Sequence, residues 1–279
     1  MTNTRKNKLV GSVLYQGLCI MLGIFIISPI LYAVSLSFME QREILQKGFH
    51  VLPKAIQFDN YKEALRLTHL LRYMWNSLFL AGVSSIVRVT IGSLSAFSFA
   101  FLEFKGKNFL FMLCMSTIMI PGDVVLITNY RTVASLNLTD TYLGMMVVFL
   151  VNVMNIFMFR QYYLTFSREL FEASKIDGCT NMHFFLKILT PLSKPVMATV
   201  FISSFISTWN TYLWPMLVTN NDLMRTVQVG VTMLNSKDGG TIYGPIMAAS
   251  VMVLVPTILV FILFQKQIVG GMMAGSVKG

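Results

Sequence analysis

Six long apolar segments determine what this chain can fold into. They cover residues 13–36, 76–102, 108–130, 142–163, 196–218 and 243–264. A helix needs about 20 apolar residues to cross a bilayer, and backbone polar groups inside lipid must be paired within a helix or a closed barrel. Charged residues make up only 12% of the chain, against about 25% in a soluble domain. The sequence therefore predicts an all-α integral membrane protein with six transmembrane helices.

The start of the chain and the basic residues of its connections predict an orientation. Residues 1–12 form a short basic segment that leads into an apolar run. This run is too long for a signal peptide, and no small-x-small cleavage site follows it. With six crossings, the two termini, the turn 103–107 and the connection after the fourth segment share one side. That side carries the larger excess of Lys and Arg. We therefore predict that both termini and these connections are cytoplasmic.

The polar connection between the fourth and fifth segments predicts two short helices. Residues 169–175 are good helix formers, Gly178 is placed to end a helix in the left-handed conformation, and Thr180 can cap a second helix towards Pro191. Each half is expected to have one apolar side, formed by Leu170, Phe171, Ala173 and Ile176 and then by Met182, Phe184, Phe185, Ile188 and Leu189. The pattern indicates a helix-turn-helix elbow at the membrane surface, or an ordinary loop helix.

The sequence offers no chemistry that would make the chain an enzyme by itself. It contains no G-x-x-x-x-G-K-[ST] loop for the phosphates of ATP, and no Ser/His/Asp or Cys/His set. The three histidines lie in separate connections, and the three cysteines have no metal or redox spacing. The 22 basic residues are scattered rather than gathered in a patch, which argues against nucleic acid as a partner. We predict no catalytic residue, no metal site and no bound cofactor.

Two ionisable side chains interrupt the apolar segments. Arg88 lies within the second segment, and Asp123 follows Pro121-Gly122 in the third. A charge at mid-membrane costs about 2.5–3.5 kcal/mol on insertion scales, so each needs a partner or a function. They either pair with each other or with another subunit, or they line a polar substrate pathway. Pro121-Gly122 is expected to break or kink the third helix.

Polar and aromatic side chains in the fourth and fifth segments are further candidates for a substrate pathway. These are Asn152, Asn155, Trp209, Asn210 and Tyr212. Amide and hydroxyl groups beside aromatic rings suit a sugar, which presents apolar C–H faces ringed by hydroxyls. An interfacial belt of Trp and Tyr is the alternative, and it is the interpretation we prefer for Trp214 near the outer end.

The elbow resembles the EAA loop of permease subunits in bacterial ABC importers. In that loop EAA is followed by three residues, Gly, nine residues and I-x-L-P. Glu172-Ala173-Ser174, Asp177-Gly178, Ile188 and Pro191 follow this order and spacing. The chain departs from the pattern by mild changes at Ser174, Cys179 and Thr190, none of which removes the turn.

Further stretches resemble carbohydrate importer permeases from about residue 61 to the C-terminus. They are WNTYLWPMLVT at 209–219, residues 224–228, MIPGD at 119–123, residues 140–142 and the ending 264–279. Within the family, Arg88, Asp123 and the WNTYLWP run look closest to the glycerol-3-phosphate branch, where a fixed cation would suit a phosphate monoester. Disaccharide and oligosaccharide permeases share most of these residues, so the narrower specificity stays open.

The resemblance implies the type I ABC importer permease fold in a bacterial inner membrane. Residues 1–70 would form a tail, the first helix and an outer loop, 71–268 the permease core with the coupling elbow at 167–191, and 269–279 a cytoplasmic tail. A second and different permease chain, two cytoplasmic ATPase subunits holding ATP and Mg²⁺, and an extracytoplasmic solute-binding protein would complete the importer. The binding protein would contact 219–241.

The same resemblance implies which residues couple the chain to the ATPase. They are Glu172, Ala173, Ser174, Asp177 and Gly178, with the acids pairing basic groups, the small residues allowing close approach and the glycine forming the turn. Two other classes remain as alternatives. An ion-coupled secondary transporter would use Asp123 and Arg88 as a relay but does not explain the elbow, and no inverted repeat is evident. A membrane scaffold would use its polar residues for assembly alone.

Overall fold

The computed structural model describes residues 2–46, 50–234 and 242–274, and within them it contains helices and turns but no β-strand. The α-helices are α1 (Thr2–Ser37), α2 (Gln41–Leu45), α3 (Asp59–Leu67), α4 (Leu70–Phe101), α5 (Lys107–Ser116), α6 (Leu126–Ser135), α7 (Tyr142–Met146), α8 (Val153–Tyr163), α9 (Arg168–Ile176), α10 (Asn181–Phe184), α11 (Thr190–Leu192), α12 (Lys194–Trp209), α13 (Leu213–Val218), α14 (Val227–Leu234) and α15 (Tyr243–Ala274). The all-α prediction is confirmed. Residues 235–241 of the predicted outer loop and 275–279 of the predicted tail lie outside the described residues.

Three helical stretches are long and apolar enough to cross a membrane unbroken. They are Tyr15–Ser37, Leu70–Phe101 and Tyr243–Gln265. Three further pairs of helical stretches pass the same criterion together but bend at a short break, by 87° between Lys107–Met119 and Gly122–Ser135, by 48° between Tyr142–Phe149 and Val153–Tyr163, and by 79° between Asn181–Leu192 and Lys194–Trp209. Counting each bent pair as one crossing would give six.

The predicted break at Pro121-Gly122 is confirmed, whereas the fourth and fifth segments contain breaks that the apolar pattern did not indicate. In the fourth, the Asn152 side chain accepts a hydrogen bond from the Asn155 amide and starts α8 afresh. A side chain that caps a new helix competes with continuation of the old one. In the fifth, α12 ends at Trp209 and α13 begins at Leu213. Hydropathy alone does not register breaks of this kind.

The stretch between the first two apolar segments contains α3 and the start of α4, separated by two residues. α3 ends at Leu67, Thr68 is extended, and α4 begins at Leu70. The Thr68 hydroxyl donates to the Ala64 carbonyl at 2.8 Å. This bond satisfies one of the carbonyl groups left free at the end of α3.

The chain divides into two compact units. One comprises Met1–Leu70 with Val231–Leu254, and the other Leu71–Gly230 with Val255–Gly279. In the first unit, the Asn60 side-chain amide donates to the carbonyl groups of Ser37 and Met39 at 2.9 and 2.7 Å, which ties α3 to the end of α1.

The core of the second unit is rich in aromatic side chains and supports the polar connection after α8. Its buried members come from α4, α8, the Asn181–Leu192 stretch and α12, and include Phe97, Phe159, Phe184, Leu189 and Val200. Phe184 and Phe185 both face this core although they are consecutive. A π turn at Phe185–Leu189 widens the helix there, so that neighbouring residues share one face.

Candidate functional sites

The elbow, residues 167–191, turns at the glycine that the sequence singled out. Gly178 has φ of +79°, the left-handed conformation that glycine adopts at little cost. The Gly178 amide donates to Lys175 O at 3.0 Å and the Cys179 amide to Ser174 O at 2.9 Å, which closes the end of α9. The Thr180 hydroxyl then accepts from the His183 amide at 3.1 Å and caps α10. The predictions for Gly178 and Thr180 are confirmed.

The apolar side predicted for the first half of the elbow is wrong, because α9 has two different faces. Its inner face carries Phe171 and Ser174, and its outer face carries Ala173 and Ile176. A helix turns about 100° per residue, so Phe171 and Ile176 lie on nearly opposite sides. Ile176 is 87% exposed, whereas Ser174 is 5% exposed.

Aromatic contacts hold the inner face of α9 against the core. The Phe171 ring centroid lies 4.9 Å from that of Phe184 and 5.3 Å from that of Phe101. The Ser174 hydroxyl donates to the Phe171 carbonyl at 2.6 Å. Ser174 is therefore buried against the rest of this chain.

The remaining predicted coupling residues face solvent. Glu172, Ala173, Asp177 and Gly178 are all exposed. The Glu172 carboxylate lies 3.6 Å from Arg168 Nε, and both side chains are 65% exposed. An ion pair this exposed is worth about 0–1 kcal/mol and can exchange for another partner. Glu169, also exposed, adds a second carboxylate near Glu172.

Arg88 is buried inside the second unit and braces a break in the helical path. Its Nε donates to the carbonyl of Phe149, and its guanidinium carbon lies 5.4 Å above the centre of the Phe149 ring. Phe149 ends the 3₁₀ turn before the bend that leads to α8, where carbonyl groups lose their helical donors. Arg88 thus satisfies a carbonyl that the break sets free.

Asp123 lies apart from Arg88. It is exposed in the 3₁₀ turn Gly122–Val125, and among the described residues it forms no ion pair with Arg88. The mutual ion pair considered from the sequence is therefore not formed in this structure.

Asn152 and Asn155 lie at the start of α8, after the Phe149 carbonyl that Arg88 contacts. The Asn155 side-chain amide donates to the Ser204 hydroxyl of α12 at 3.0 Å, and both groups are buried. Gly92, one turn after Arg88 on α4, lets α8 come close: a Cβ on it would lie 3.4 Å from Phe159 and 3.5 Å from Asn155. One side of α4 thus contacts Phe149 through Arg88 and lies against Asn155 at Gly92.

The aromatic and polar residues of the fifth segment have separate environments. Trp209 is buried and stacks on Phe205, with ring centroids 6.0 Å apart. Asn210 and Tyr212 lie in the break between α12 and α13, where Asn210 Oδ1 accepts a hydrogen bond from Gln228 Nε2 at 3.4 Å. The interfacial belt is wrong for Trp214, which is 3% exposed and donates through Nε1 to Met145 O at 3.1 Å.

Sequence reasoning missed three polar partners. Ser204 pairs with Asn155, Gln228 pairs with Asn210, and Arg168 joins Glu103 to Glu172. Gln228 is one of two polar residues in α14, a signal that could have been used. A serine within an apolar helix carries no such signal, because in many helices its hydroxyl donates a hydrogen bond to a backbone carbonyl of the same helix.

Comparison with known proteins gives the chain its class. Residues 18–271 match the family described as the inner membrane component of binding-protein-dependent transport systems. The arabinooligosaccharides transport system permease protein AraQ of Bacillus subtilis is 31% identical over 262 residues, which cover 93% of each chain. The sn-glycerol-3-phosphate transport system permease protein UgpE of Brucella abortus is 34% identical over 264 residues, 91% of this chain and 94% of the relative.

A solved structure supports the same conclusion at the level of the fold. It is the crystal structure of a bacterial ABC transporter involved in the import of the acidic polysaccharide alginate, with a TM-score of 0.79 and 24% identity over 95% of this chain and 98% of that one. The permease fold predicted from the resemblance is confirmed. The two rival classes, an ion-coupled secondary transporter and a scaffold, do not account for a family match over most of the chain. The chain belongs to the inner membrane components of binding-protein-dependent transport systems, the permease subunits of ABC importers.

Proposed function

We propose that the elbow couples this permease to ATPase chains that hydrolyse ATP with Mg²⁺ on its behalf. The observation that carries the proposal is the outer face of α9, where Ile176 is 87% exposed beside Glu169, Glu172 and Ala173. A short helix that turns an isoleucine and two carboxylates away from its own core is suited to a partner surface with an apolar centre and basic rim.

A groove beside α9 supports the same role. It has a volume of about 550 Å³ and runs between residues 101–104 and α9, with Glu172, Lys175 and Ile176 on its wall. Both signs of charge and an apolar side chain are thus available within one recess. A side chain of the ATPase could enter the groove and exchange the weak Arg168–Glu172 pair for one of its own.

The inner face of α9 supplies a way to pass a displacement onward. Phe171 contacts Phe97 and Phe101, near the end of α4, with ring centroids 6.3 and 5.3 Å apart. Packed side chains transmit displacement because interiors have low compressibility. Movement of the ATPase would therefore shift α4 together with α9, and α4 carries Arg88. Alternating access would follow from rigid-body rocking of the helices.

The complete importer would contain more than this chain. We propose a second, different permease subunit, two copies of the cytoplasmic ATPase and an extracytoplasmic binding protein. Both termini and the elbow would lie in the cytoplasm, since their side of the membrane holds the larger excess of basic residues. The family of binding-protein-dependent systems to which the chain belongs supports the presence of a binding protein and an ATPase.

The substrate is proposed to be a sugar or glycerol phosphate, and sn-glycerol-3-phosphate is the narrower proposal. The Arg88 guanidinium is a buried cation that pairs with no carboxylate among the described residues. An uncompensated cation of this kind suits a phosphate monoester. The sn-glycerol-3-phosphate permease of Brucella abortus, at 34% identity, supports this choice. The arabinooligosaccharide permease of Bacillus subtilis, at 31%, supports a disaccharide or oligosaccharide instead.

The test is ATP hydrolysis by the reconstituted importer. The chain would be co-expressed with its second permease, ATPase and binding protein, purified, and placed in lipid nanodiscs. Binding protein loaded with glycerol-3-phosphate, a maltose-type sugar or a raffinose-type sugar would then be titrated. Stimulation by the phosphate alone supports the narrower proposal, and stimulation by a sugar alone replaces it. Failure of the ATPase to co-purify would contradict the coupling role of the elbow.

A further inference from the structure

A cationic cavity lies at one end of the helical bundle of the second unit, next to the groove beside α9, with which it shares Glu103, Phe104 and Arg168. Its volume is about 550 Å³, and it is enclosed by the end of α4, the turn 103–107, the start of α5 and the end of α8. Its charged lining residues are Lys107, Arg160, Arg168 and Glu103. Three cations thus face a single carboxylate around one recess.

Arg160 is the cation with the least compensation. Its Nε donates to the Phe99 carbonyl at 3.4 Å, and its guanidinium carbon lies 4.2 Å from the centre of the Phe111 ring. Within the described part of the chain it contacts no carboxylate, and its two terminal nitrogen atoms make no hydrogen bond. The guanidinium is therefore held in place by a carbonyl and a ring, and the N–H groups of its two terminal nitrogen atoms remain available to a ligand.

The other two cations both contact Glu103, and Arg168 also contacts Glu172 outside the cavity lining. Arg168 Nη2 lies 2.9 Å from Glu103 Oε1, and Lys107 Nζ lies 3.9 Å from the same oxygen. Lys107 is only 16% exposed and also donates to the Leu102 carbonyl at 2.8 Å. Glu103 and Glu172 supply two carboxylates against the three cations, so the cavity retains a positive charge, at Arg160, that favours an anion with several oxygen atoms.

An apolar stripe beside the cavity distinguishes a lipid from a soluble anion. Phe109 lines the cavity, and Met112 and Leu113 continue from it along one face of α5 at helical spacing. The three are 69%, 68% and 53% exposed. α5 belongs to one of the apolar stretches that could cross the membrane. A ligand that fits both features has an acidic head and an apolar tail.

We propose that this cavity binds the phosphate headgroup of an acidic phospholipid. Arg160 donates to the phosphate through its terminal nitrogen atoms, Lys107 and Arg168 contribute charge, and an acyl chain lies along Phe109, Met112 and Leu113. Basic recesses at the ends of transmembrane helices are suited to such headgroups. The proposal does not depend on the substrate or on the coupling role of the elbow.

Native mass spectrometry of the full chain in detergent provides the test. It would be titrated with phosphatidylglycerol, with phosphatidylcholine of the same acyl chains, and with soluble glycerophosphoglycerol. Phosphatidylglycerol is expected to occupy one site about tenfold more tightly than phosphatidylcholine, because only the former leaves the phosphate charge uncompensated. Arg160→Gln should remove most of that preference, while Arg131→Gln, an exposed arginine on α6 outside the cavity, should keep it.

A second variant guards against a folding defect in Arg160→Gln. Glu103→Gln removes the competing carboxylate, so it should strengthen phosphatidylglycerol binding by about threefold or more, a gain that misfolding cannot produce. Equal binding of the two lipids would overturn the proposal, as would an unchanged preference in both variants. Equally tight binding of soluble glycerophosphoglycerol would assign the cavity to a soluble anion and overturn the lipid proposal.

Discussion

Arg168 Nη2 lies 2.9 Å from Glu103 Oε1, so the first residue of α9 is paired with the turn that follows α4, 65 positions earlier in the chain. Arg168 also contacts Glu172, at 3.6 Å. The pair therefore joins the elbow to the bundle at a point where Glu172 is within reach. Its two side chains are 65% and 64% exposed, which limits what the pair can contribute to stability.

A double-mutant cycle on Glu103→Gln and Arg168→Gln should give a coupling energy of about 0.2–1 kcal/mol, because exposed ion pairs are screened by water and salt. Thermal unfolding of the purified chain at low and high salt would measure it. The coupling energy should shrink at high salt. A value that exceeds about 2 kcal/mol and resists salt would mean that the pair is desolvated and that its exposure has been misjudged.

Phe171→Ala should cost much more than the ion pair. The ring packs against Phe184, Phe101 and Phe97, and it anchors the inner face of α9. Truncation of a packed Phe removes about 3–5 kcal/mol, and partial exposure here lowers the expectation to about 2–4 kcal/mol. Thermal unfolding and hydrogen exchange of the α9 amides would report it. Phe171→Leu, which keeps most of the volume, should lose less; equal losses would contradict a packing role.

How far the sequence predicted the elbow can be judged residue by residue. Gly178 and Thr180 were predictable because a left-handed turn and a helix cap are local requirements with few residue solutions. The faces of α9 were not, because apolar content does not tell which side meets the core: Ile176 and Phe171 are equally apolar, yet only Phe171 packs inward. The outward orientation of Ile176 is set by the tertiary packing of α9, which the sequence of α9 alone does not specify.

The membrane-spanning part shows the same division. The lengths of the apolar segments predicted which parts of the chain form membrane-spanning helices, and Pro121-Gly122 predicted one break. The break before α8 depends on Asn152, which caps a new helix. The buried position of Trp214 depends on a hydrogen bond to the carbonyl of Met145, which is 69 positions away in sequence. Pairings between distant segments, such as Asn155 with Ser204, are set by packing that no single segment encodes.

Ile176→Glu should leave the chain folded and weaken its association with the ATPase. The side chain is 87% exposed, so it contributes little to the fold. Loss of an apolar contact at a partner surface is worth about 1.5–3 kcal/mol, which corresponds to about tenfold to a hundredfold in affinity. Co-purification and the dissociation constant for the ATPase would show the loss. Leu136→Glu, at a leucine that is 62% exposed after α6, is the matched control; normal association of Ile176→Glu would exclude this face as the contact.

Gly178→Val should separate ATP hydrolysis from transport. A Cβ at this position would meet no atom within 4 Å, so any defect arises from the left-handed backbone alone. That conformation costs an ordinary residue about 1–2 kcal/mol, and a β-branched residue more, so the turn between α9 and α10 would rearrange. Uptake per ATP hydrolysed, measured in proteoliposomes, should fall while the protein remains in the membrane.

Asn tolerates the left-handed conformation, so Gly178→Asn is expected to retain most of the coupling. The pair of variants thus isolates backbone conformation from side-chain size. Normal uptake by the valine variant would remove the turn from the coupling mechanism, and equal failure of both variants would point to a direct contact of the glycine with the ATPase.

Two substitutions can separate the structural role of Arg88 from its proposed role in substrate binding. Arg88→Met leaves the Phe149 carbonyl without its donor in a buried place, which should cost about 1–3 kcal/mol, whereas Arg88→Lys keeps the charge and should cost less. Ser84→Ala is the control, since the buried Ser84 hydroxyl one turn earlier has no hydrogen-bond partner in the described part of the chain. Its removal should change the unfolding free energy by about 0.5 kcal/mol or less.

Uptake decides between the roles. If Arg88 reads a phosphate, Arg88→Met should abolish transport of glycerol-3-phosphate and Arg88→Lys should preserve part of it, because a lysine still presents a cation to the phosphate. A purely structural Arg88 would lower transport in proportion to the loss of folded complex, whatever the substrate. Folded protein would be measured in parallel by thermal unfolding. If Arg88→Met and the parent protein transport equally well per folded complex, Arg88 is not part of the substrate pathway. Its role would then be the hydrogen bond to the Phe149 carbonyl alone.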